Sequence, residues 1–398
     1  MEQILNIKVV EDYEVAVCGG GIAGIAAALA AARQGKKTIL FEKGFMLGGL
    51  ATAGLVTIYL PLCDGYGKQV SFGIAEELLK LSIKYGAEAQ YPDNWLENKG
   101  ARTEKDKRYE VRYNAQVFAI LAEQLLIEAG VEILYGSYVV SVDKREDKIE
   151  HIVIENKSGR TGYRIKSVVD ATGDCDVAFF ANAPVDTFKQ GNVLAAWYYS
   201  VGKDGYDLNK LGFADIPDED KTEDNAPELL VKKRFSGLDG KEISQQMILS
   251  HQNTLSHFLE KRNKDSSAWI TTLPTVPQLR MTRKIVGEYV LSEREEHKFF
   301  EDSIGMVSNW KMRGPVYEVP FKTLYSKSVK NLITAGRCTS VTETMWDIMR
   351  VIPCCAVTGE AAGTAAALTD DFDSLDISVL QNILKKNGVV LHEKDIRI

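Results

Sequence analysis

The 398-residue sequence predicts an α/β chain: a unit built on a largely parallel sheet, discontinuous in sequence, with a second α+β unit beside it. Three observations carry that expectation. The apolar run "YEVAVC" meets the glycine-rich turn "GGGIAG" and passes directly into a small-residue helical stretch. The strand-then-glycine form returns in "SVVDATGD" and again in "NLITAGRC". A small-residue helix, "PCCAVTGEAAGTAAAL", follows the last of them.

The first element is the most informative. Tyr13 to Cys18 reads as a buried strand, and Gly19, Gly21 and Gly24 then fit G-x-G-x-x-G. In that pattern the first glycine permits the tight turn and the second lets backbone approach a pyrophosphate. The third lets helix and strand pack closely. A helix is expected from Ile25 to Gln34, its positive end turned toward the phosphates. "KKTILFEK" reads as the second strand, and Glu42 lies 18 residues beyond Gly24, where a carboxylate meets ribose hydroxyls. An acid there favours a free 2′-hydroxyl. The unit is a dinucleotide site in the making.

Further elements follow in order. "GFMLGGLATAG" supplies Gly48-Gly49, a second close-approach point that a simple nicotinamide nucleotide domain does not need but a longer cofactor does. "NAQVFAILAEQLLIEAG" reads as an amphipathic helix capped by Asn114, with Val117, Ile120, Leu121 and Leu125 as its stripe and Gly130 as its stop. Strand-like runs follow in "VEILYG", "YVVSV", "IEHIVIEN" and "YRIKSVVD", with Asn156, Ser158 and Gly159 marking a hairpin. Val168 to Asp170 ends in Ala171-Thr172-Gly173-Asp174. Between these pieces come strand-like "VLAAWYYSVG", the acidic stretch "DIPDEDKTEDNAPE" and a long helical pattern, "KEISQQMILSHQNTLSHFLEKR". Pro353 suits the first turn of the last small-residue helix, whose start can face an anion.

With these motifs in hand, the chain resembles the FAD-dependent oxidoreductase family of two-dinucleotide-fold flavoproteins. It is similar to the bacterial subgroup carrying the N-terminal glycine turn, a Gly-Gly pair, "DATGD" and a C-terminal "GRC" followed by "RVIPCC" and "AAGTAAAL". The resemblance runs from Tyr13 to about Leu368 and implies a Rossmann-like FAD-binding domain, discontinuous and glutathione-reductase-like. That domain would comprise 1–58, 113–183 and 331–370, with 59–112 and 184–330 as the α+β substrate-side domain and 371–398 as a tail.

The family's site residues can be carried onto this chain one by one. Gly19, Gly21 and Gly24, with Ile22 and Ala23 between them, would face the pyrophosphate, and Glu42 with Lys43 the adenosine ribose. Gly48, Gly49 and Leu50 would run beside the ribityl chain and ring, and Val139 or Val140 would sit near adenine. Thr172, Gly173 and Asp174 would close over the adenosine half. Gly336, Arg337 and Cys338 would meet the pyrophosphate or ribityl chain, while Arg350 and Val351 would lie by the pyrimidine of the ring. Relatives carry a histidine five residues after the cysteine of "GRC"; here that position is Glu343. Glu343, Arg283 and Arg350 are therefore the candidate catalytic residues, with helix capping or pairing to Arg350 as the alternative role for Glu343. Arg280 and Arg283 in "LRMTRK" would share one helix face, as a carboxylate clamp or as structural ion pairs. Tyr59, Asp64, Tyr317 and Trp346 are further pocket candidates.

Composition narrows the rest. Apolar residues make up 45% and charged residues 26%, and the net charge of −7 argues against nucleic acid as the main partner. The opening stretch shows no secretory signal pattern, so a cytoplasmic setting with reduced thiols is expected. The cysteines form no CxxC pair and no Cys/His cluster, which argues against a metal, and no cysteine pair stands beside the Gly-Gly stretch, where a flavin-linked redox dithiol would lie. Cys338, Cys354 and Cys355 read as small buried hydrophobes, and His251, His257 and His297 as solvent-facing. No second G-x-G-x-x-G marks a separate nicotinamide domain. The expected activity is hydride transfer between a small organic substrate and FAD, with electrons leaving to an acceptor outside the chain. A homodimer stays open, and no membrane is expected. The competing readings are an electron-transfer subunit of a complex, a tRNA-modifying flavoprotein, and a family member without redox use.

Overall fold

The structure is a computed structural model that describes residues 6–87, 110–212, 221–222 and 229–396. Most of the acidic stretch "DIPDEDKTEDNAPE" therefore lies outside the described residues, as does the whole interval between Ala87 and Glu110.

Seven strands form the central sheet. Lys8–Cys18 lies in the middle, flanked in parallel by Thr38–Phe41 and by Gly159–Asp170, and Glu132–Leu134 adds a further parallel strand beyond Thr38–Phe41. The other edge of Gly159–Asp170 is shared. Its first half pairs antiparallel with Lys148–Asn156, which in turn pairs with Tyr138–Arg145. Its last residues pair in parallel with Leu332–Thr334, so a strand more than 150 residues downstream returns to the same sheet. The expected hairpin is present, with Asn156 opposite Gly159 across a two-residue loop. All of these parallel strands end on one side, which is where open α/β sheets hold their ligands.

Helices cover the sheet by close packing of small residues. The helix after the glycine turn spans Ile22–Arg33, three residues earlier than the sequence suggests, because Gly21 at φ −68° and ψ −178° already serves as its cap. The C-terminal helix, Ile352–Leu368, lies directly against it. A Cβ on Gly359 would come within 2.3 Å of the Ala23 carbonyl oxygen, and one on Gly363 within 2.0 Å of that of Ala27. Glycine at a four-residue spacing thus lets the two helix backbones touch. Ala115–Glu128 forms the third helix, and the Asn114 side chain accepts from the Val117 amide as expected. Its buried face is different: Phe118, Leu121, Ala122 and Leu126 point inward, while Ile120 is 58% exposed.

The remaining segments divide by what they pack on. Ala196–Gly202, Gly205–Leu211 and Trp269–Thr272 make a separate three-stranded sheet, crossed by the 25-residue helix Gly240–Lys264. In contrast, Ile74–Ser82 and the hairpin of Ser303–Ser308 with Val316–Pro320 pack on the C-terminal helix within the main core. The stretch expected as a tail is also part of that core. The Ile377–Lys386 helix buries Leu380 and Leu384, and Leu391 follows them inside. Among the described residues, no single helix is long and apolar enough to cross a membrane.

Candidate functional site

A cleft with a cavity volume of about 240 Å³, open to solvent at its mouth, runs along the carboxyl ends of the parallel strands. One part is built by the glycine turn. Gly19 sits at φ +101°, where a side chain is strained, and a Cβ there would lie 2.5 Å from the Ala171 carbonyl oxygen. A Cβ on Gly24 would lie 1.8 Å from the Gly19 carbonyl oxygen. Gly21 differs: a Cβ on it would meet nothing within 4 Å. No packing demand keeps Gly21 small. The helix it opens has neither a side-chain cap nor an acid in its first turn, so its amides face the cleft uncompensated.

Glu42, at the end of the second strand, is 8% exposed and receives the Gly20 and Gly44 amides, each at 2.7 Å. An ionised carboxylate has further acceptor positions, which leaves capacity for hydroxyl donors in the cleft. Asp170 is fully buried and organises the opposite wall. It accepts from the Thr172 hydroxyl at 2.7 Å and the Ala178 amide at 3.0 Å, and burial raises its pKa. Asp174 accepts from Thr282 at 2.7 Å and from Arg337 at 3.2 Å, and its carboxylate stands 4.0 Å from the Lys43 ammonium. Asp176, also at the wall, has its pKa pushed up to about 6, first by burial and then by Asp174 and Asp170, with Arg283 opposing.

The expected cofactor residues come together here. Gly19, Gly21, Ile22 and Ala23 line the cleft with Glu42, Lys43, Gly48, Gly49 and Leu50. Val139, Thr172, Gly173, Asp174, Gly336, Arg337, Arg350 and Val351 complete that set. Three others stand behind it. Gly24 is a packing glycine, Val139 rather than Val140 reaches the cleft, and Cys338 is fully buried, its sulfur accepting from the Cys175 amide.

Several catalytic and pocket expectations are corrected. The segment holding Arg280 and Arg283 is extended, not helical, and enters the strand Arg283–Ile285, so the two do not share a helix face. Arg283 is absent from the cleft wall; it ion-pairs with Asp176, donates to the Asp174 carbonyl at 2.9 Å and covers the Phe179 ring. Glu343 begins the helix Glu343–Met349 and lines a different depression, with Asp186, Lys189 and Lys284. Arg350 does line the cleft and pairs with the buried Asp347, not with Glu343. Tyr59, Tyr317 and Trp346 are buried, with their polar atoms bonded to the carbonyls of Ala75, Glu293 and Arg337, and Asp64 holds its own turn through the amides of Tyr66 and Lys68. His251 and His297 are exposed, but His257 is half-buried, bonded to the Tyr198 hydroxyl, and His297 lies in a turn. All six cysteines are buried.

The sequence reading missed most of the apolar wall. Val56, Ile58 and Leu60 line the cleft, alternating with the inward Tyr59, and Val276, Pro277 and Leu279 face it with Arg280. The signal was present in "LPTVPQLR": Pro274 and Pro277 exclude a helix and favour extended backbone. Gln278 and Thr275 tie this segment to the glycine loop, at 2.5 Å to the Gly54 carbonyl and 2.8 Å to that of Ala53.

A sequence model of the FAD dependent oxidoreductase family matches residues 14–196 and 196–384. The chain belongs to that family. Its cofactor is FAD, and the residues present fit that group: an open face at Gly21, an uncapped helix start and a carboxylate with spare acceptor positions lie along one continuous cleft. A thioredoxin reductase from Ureaplasma parvum is 24% identical over 182 residues, which cover 46% of this chain and 49% of that protein. The chain thus spans about half the length of the curated relative it matches. Among solved structures, a triple mutant of a flavin-dependent brominase superposes with a TM-score of 0.50 at 12% identity, covering 94% of this chain and 84% of that one. A geranylgeranyl bacteriochlorophyll reductase-like protein from Thermoplasma acidophilum gives a TM-score of 0.49 at 14% identity, over 98% of this chain and 94% of that one. At 12% identity the likeness to the brominase is one of fold.

Proposed function

We propose that this flavoprotein transfers a hydride between a small organic substrate and FAD, in the apolar part of the cleft walled by Ile58, Leu60, Val276 and Pro277. One observation carries the reading: the cleft is continuous from the Gly21 turn to the start of the Ile352–Leu368 helix. When bound, FAD supplies the two-electron redox chemistry, so the chain need only bind, orient and tune.

The chain's own residues then have separable tasks. The amides at Gly21, Ile22 and Ala23 meet diphosphate charge with the positive end of their helix. Glu42 accepts from ribose hydroxyls, and Lys43 and Arg337 add positive charge on the same side as Asp174. The Ile352–Leu368 helix starts at Val351 with no side-chain cap and no acid in its first turn. Its dipole favours negative charge at that end of the cleft. The apolar wall excludes water from the reacting atoms. Glu343, which faces another depression, is not assigned the proton transfer.

The test is anaerobic. Purified, FAD-loaded protein is mixed with sugars, 2-hydroxy acids, amino acids, steroids and NAD(P)H, and loss of the oxidised flavin band is followed. Bleaching by a small organic donor supports the reading. Reduction by dithionite but by no donor class counts against it and favours an electron-transfer subunit, for which co-purifying partners are the independent sign.

A further inference from the structure

Arg280 is only 6% exposed and lines the cleft, yet its guanidinium Nε and Nη2 find no hydrogen-bond partner among the described residues. A buried charge in that condition is costly and is retained only against a compensating gain. Its charged neighbours deepen the cost. Arg337 and Arg350 line the same cleft, and Arg350 and Lys311 both turn to a single carboxylate, Asp347. Arg337 is partly answered by Asp174 and donates to the Leu279 carbonyl at 2.5 Å. Burial, then the facing charges of Arg350 and Arg337, pull the Arg280 pKa well below the ordinary arginine range, with Asp347 acting the other way. The guanidinium still carries its charge at neutral pH. Beside this positive corner, the wall is apolar through Val56, Ile58, Leu60, Val276 and Pro277.

We propose that Arg280 anchors the carboxylate of the substrate, so that the substrate class is a small organic acid with an apolar body. The proposal rests on the hydride-transfer reading for the location of the substrate, and it names the chemistry recognised there. A planar guanidinium with two unused donors matches a carboxylate, and neutralises it where water cannot. The position is held by its surroundings: the Arg280 amide donates to Asn192 Oδ1 at 2.8 Å, and the guanidinium carbon lies over the Trp197 ring, 5.1 Å from its centre. Flavin itself also presents an anionic edge when reduced, so the test separates the two anions.

FAD-loaded protein is titrated with acetate, lactate and benzoate, each against its neutral amide, and the perturbation of the oxidised flavin band is read. At least one carboxylate is expected to outbind its amide, and Arg280→Met to weaken that carboxylate roughly 10- to 100-fold while leaving the amide and FAD affinity unchanged. Arg280→Lys, which keeps charge but loses the fork, falls between. Arg280→Met is also expected to leave the melting temperature of the FAD-free protein unchanged or raise it, since an unanswered charge is removed. A structural arginine would lower it. The proposal is overturned if no carboxylate outbinds its amide, if Arg280→Met loses FAD instead of the carboxylate, or if that variant unfolds early. Because binding is read on oxidised flavin, Arg280-dependent carboxylate binding without any donor-driven bleaching would sink the hydride reading alone. Bleaching by uncharged donors without carboxylate binding would sink this one alone.

Discussion

Replacing Gly21 and Gly24 separately by alanine should split ligand binding from folding. At Gly21 the added methyl meets nothing of the protein within 4 Å, and φ is −68°, which any residue adopts. Fixing the unfolded chain with alanine gains about 0.4–1 kcal/mol, while alanine is a poorer helix cap than glycine. The two terms offset, so the urea midpoint of FAD-free Gly21→Ala should match wild type. Gly21 nevertheless lines the cleft at the start of the helix whose amides we propose meet the diphosphate, and losing one or two charge-assisted hydrogen bonds there at about 1.5–3 kcal/mol each weakens FAD at least 10-fold. At Gly24 the Cβ would lie 1.8 Å from the Gly19 carbonyl oxygen, in backbone that itself sits at φ +101°. Helix and strand must separate, at about 3 kcal/mol or more. The assay pairs urea unfolding of the FAD-free protein with quenching of flavin fluorescence on titration. If FAD-free Gly21→Ala unfolds as early as Gly24→Ala, or if it binds FAD like wild type, the assignment of these glycines to separate tasks is wrong.

Other outcomes follow from single groups. Glu360 is 2% exposed, accepts from the Ile74 amide at 2.7 Å and has its pKa pushed up to about 8 by burial. A raised acid stabilises the fold in its protonated form, fully below the unfolded value and decreasingly as pH rises to about 8. Glu360→Gln should therefore match wild type near pH 5 and exceed it by pH 8–9, with an upper bound of about 5 kcal/mol, in urea midpoints taken across that range. Asn114→Ala removes the acceptor for the Val117 amide and should cost about 1 kcal/mol in the same measurement. Glu42→Gln keeps one acceptor but loses the charge facing the Gly20 and Gly44 amides; FAD affinity should fall roughly 10-fold by fluorescence titration. Glu343→Gln should leave the rate of flavin bleaching by any active donor unchanged in stopped flow, and a collapse of that rate would restore the catalytic role to this position.

The glycine-turn end of the cleft was legible in the sequence because backbone geometry constrains residue identity there. Gly19 must take a positive φ, Gly24 must admit the Gly19 carbonyl, and Asp170 must hold the Thr172 turn. Each demand leaves a letter that few other residues can replace. The same logic explains the GEAAG run in the last helix, whose glycines face Ala23 and Ala27. Side-chain packing leaves a weaker trace. The helix beginning at Ala115 is apolar on most sides, so its pattern fits more than one face, and the buried one is set by Phe118 against Tyr113 and by the neighbouring Ile74–Ser82 helix.

The substrate end is hard to read for a different reason. Its walls come from three segments far apart in sequence, around Ile58, Val276 and Arg350, and each contributes only three or four residues. Ile58 and Leu60 face the cleft because a strand alternates, but the two-residue strand is too short to show a period. Arg280 and Arg283 look equivalent in "LRMTRK", and the spacing of three suggests one shared task. The two prolines before them force extended backbone, and that sends the pair to different fates. Arg283 finds Asp176 and the Asp174 carbonyl; Arg280 lines the cleft, and its Nε and Nη2 find no hydrogen-bond partner among the described residues. What distinguishes a positioning arginine from a ligand-binding one is therefore the count of acceptors the fold delivers to it, a quantity that no local pattern of residues encodes.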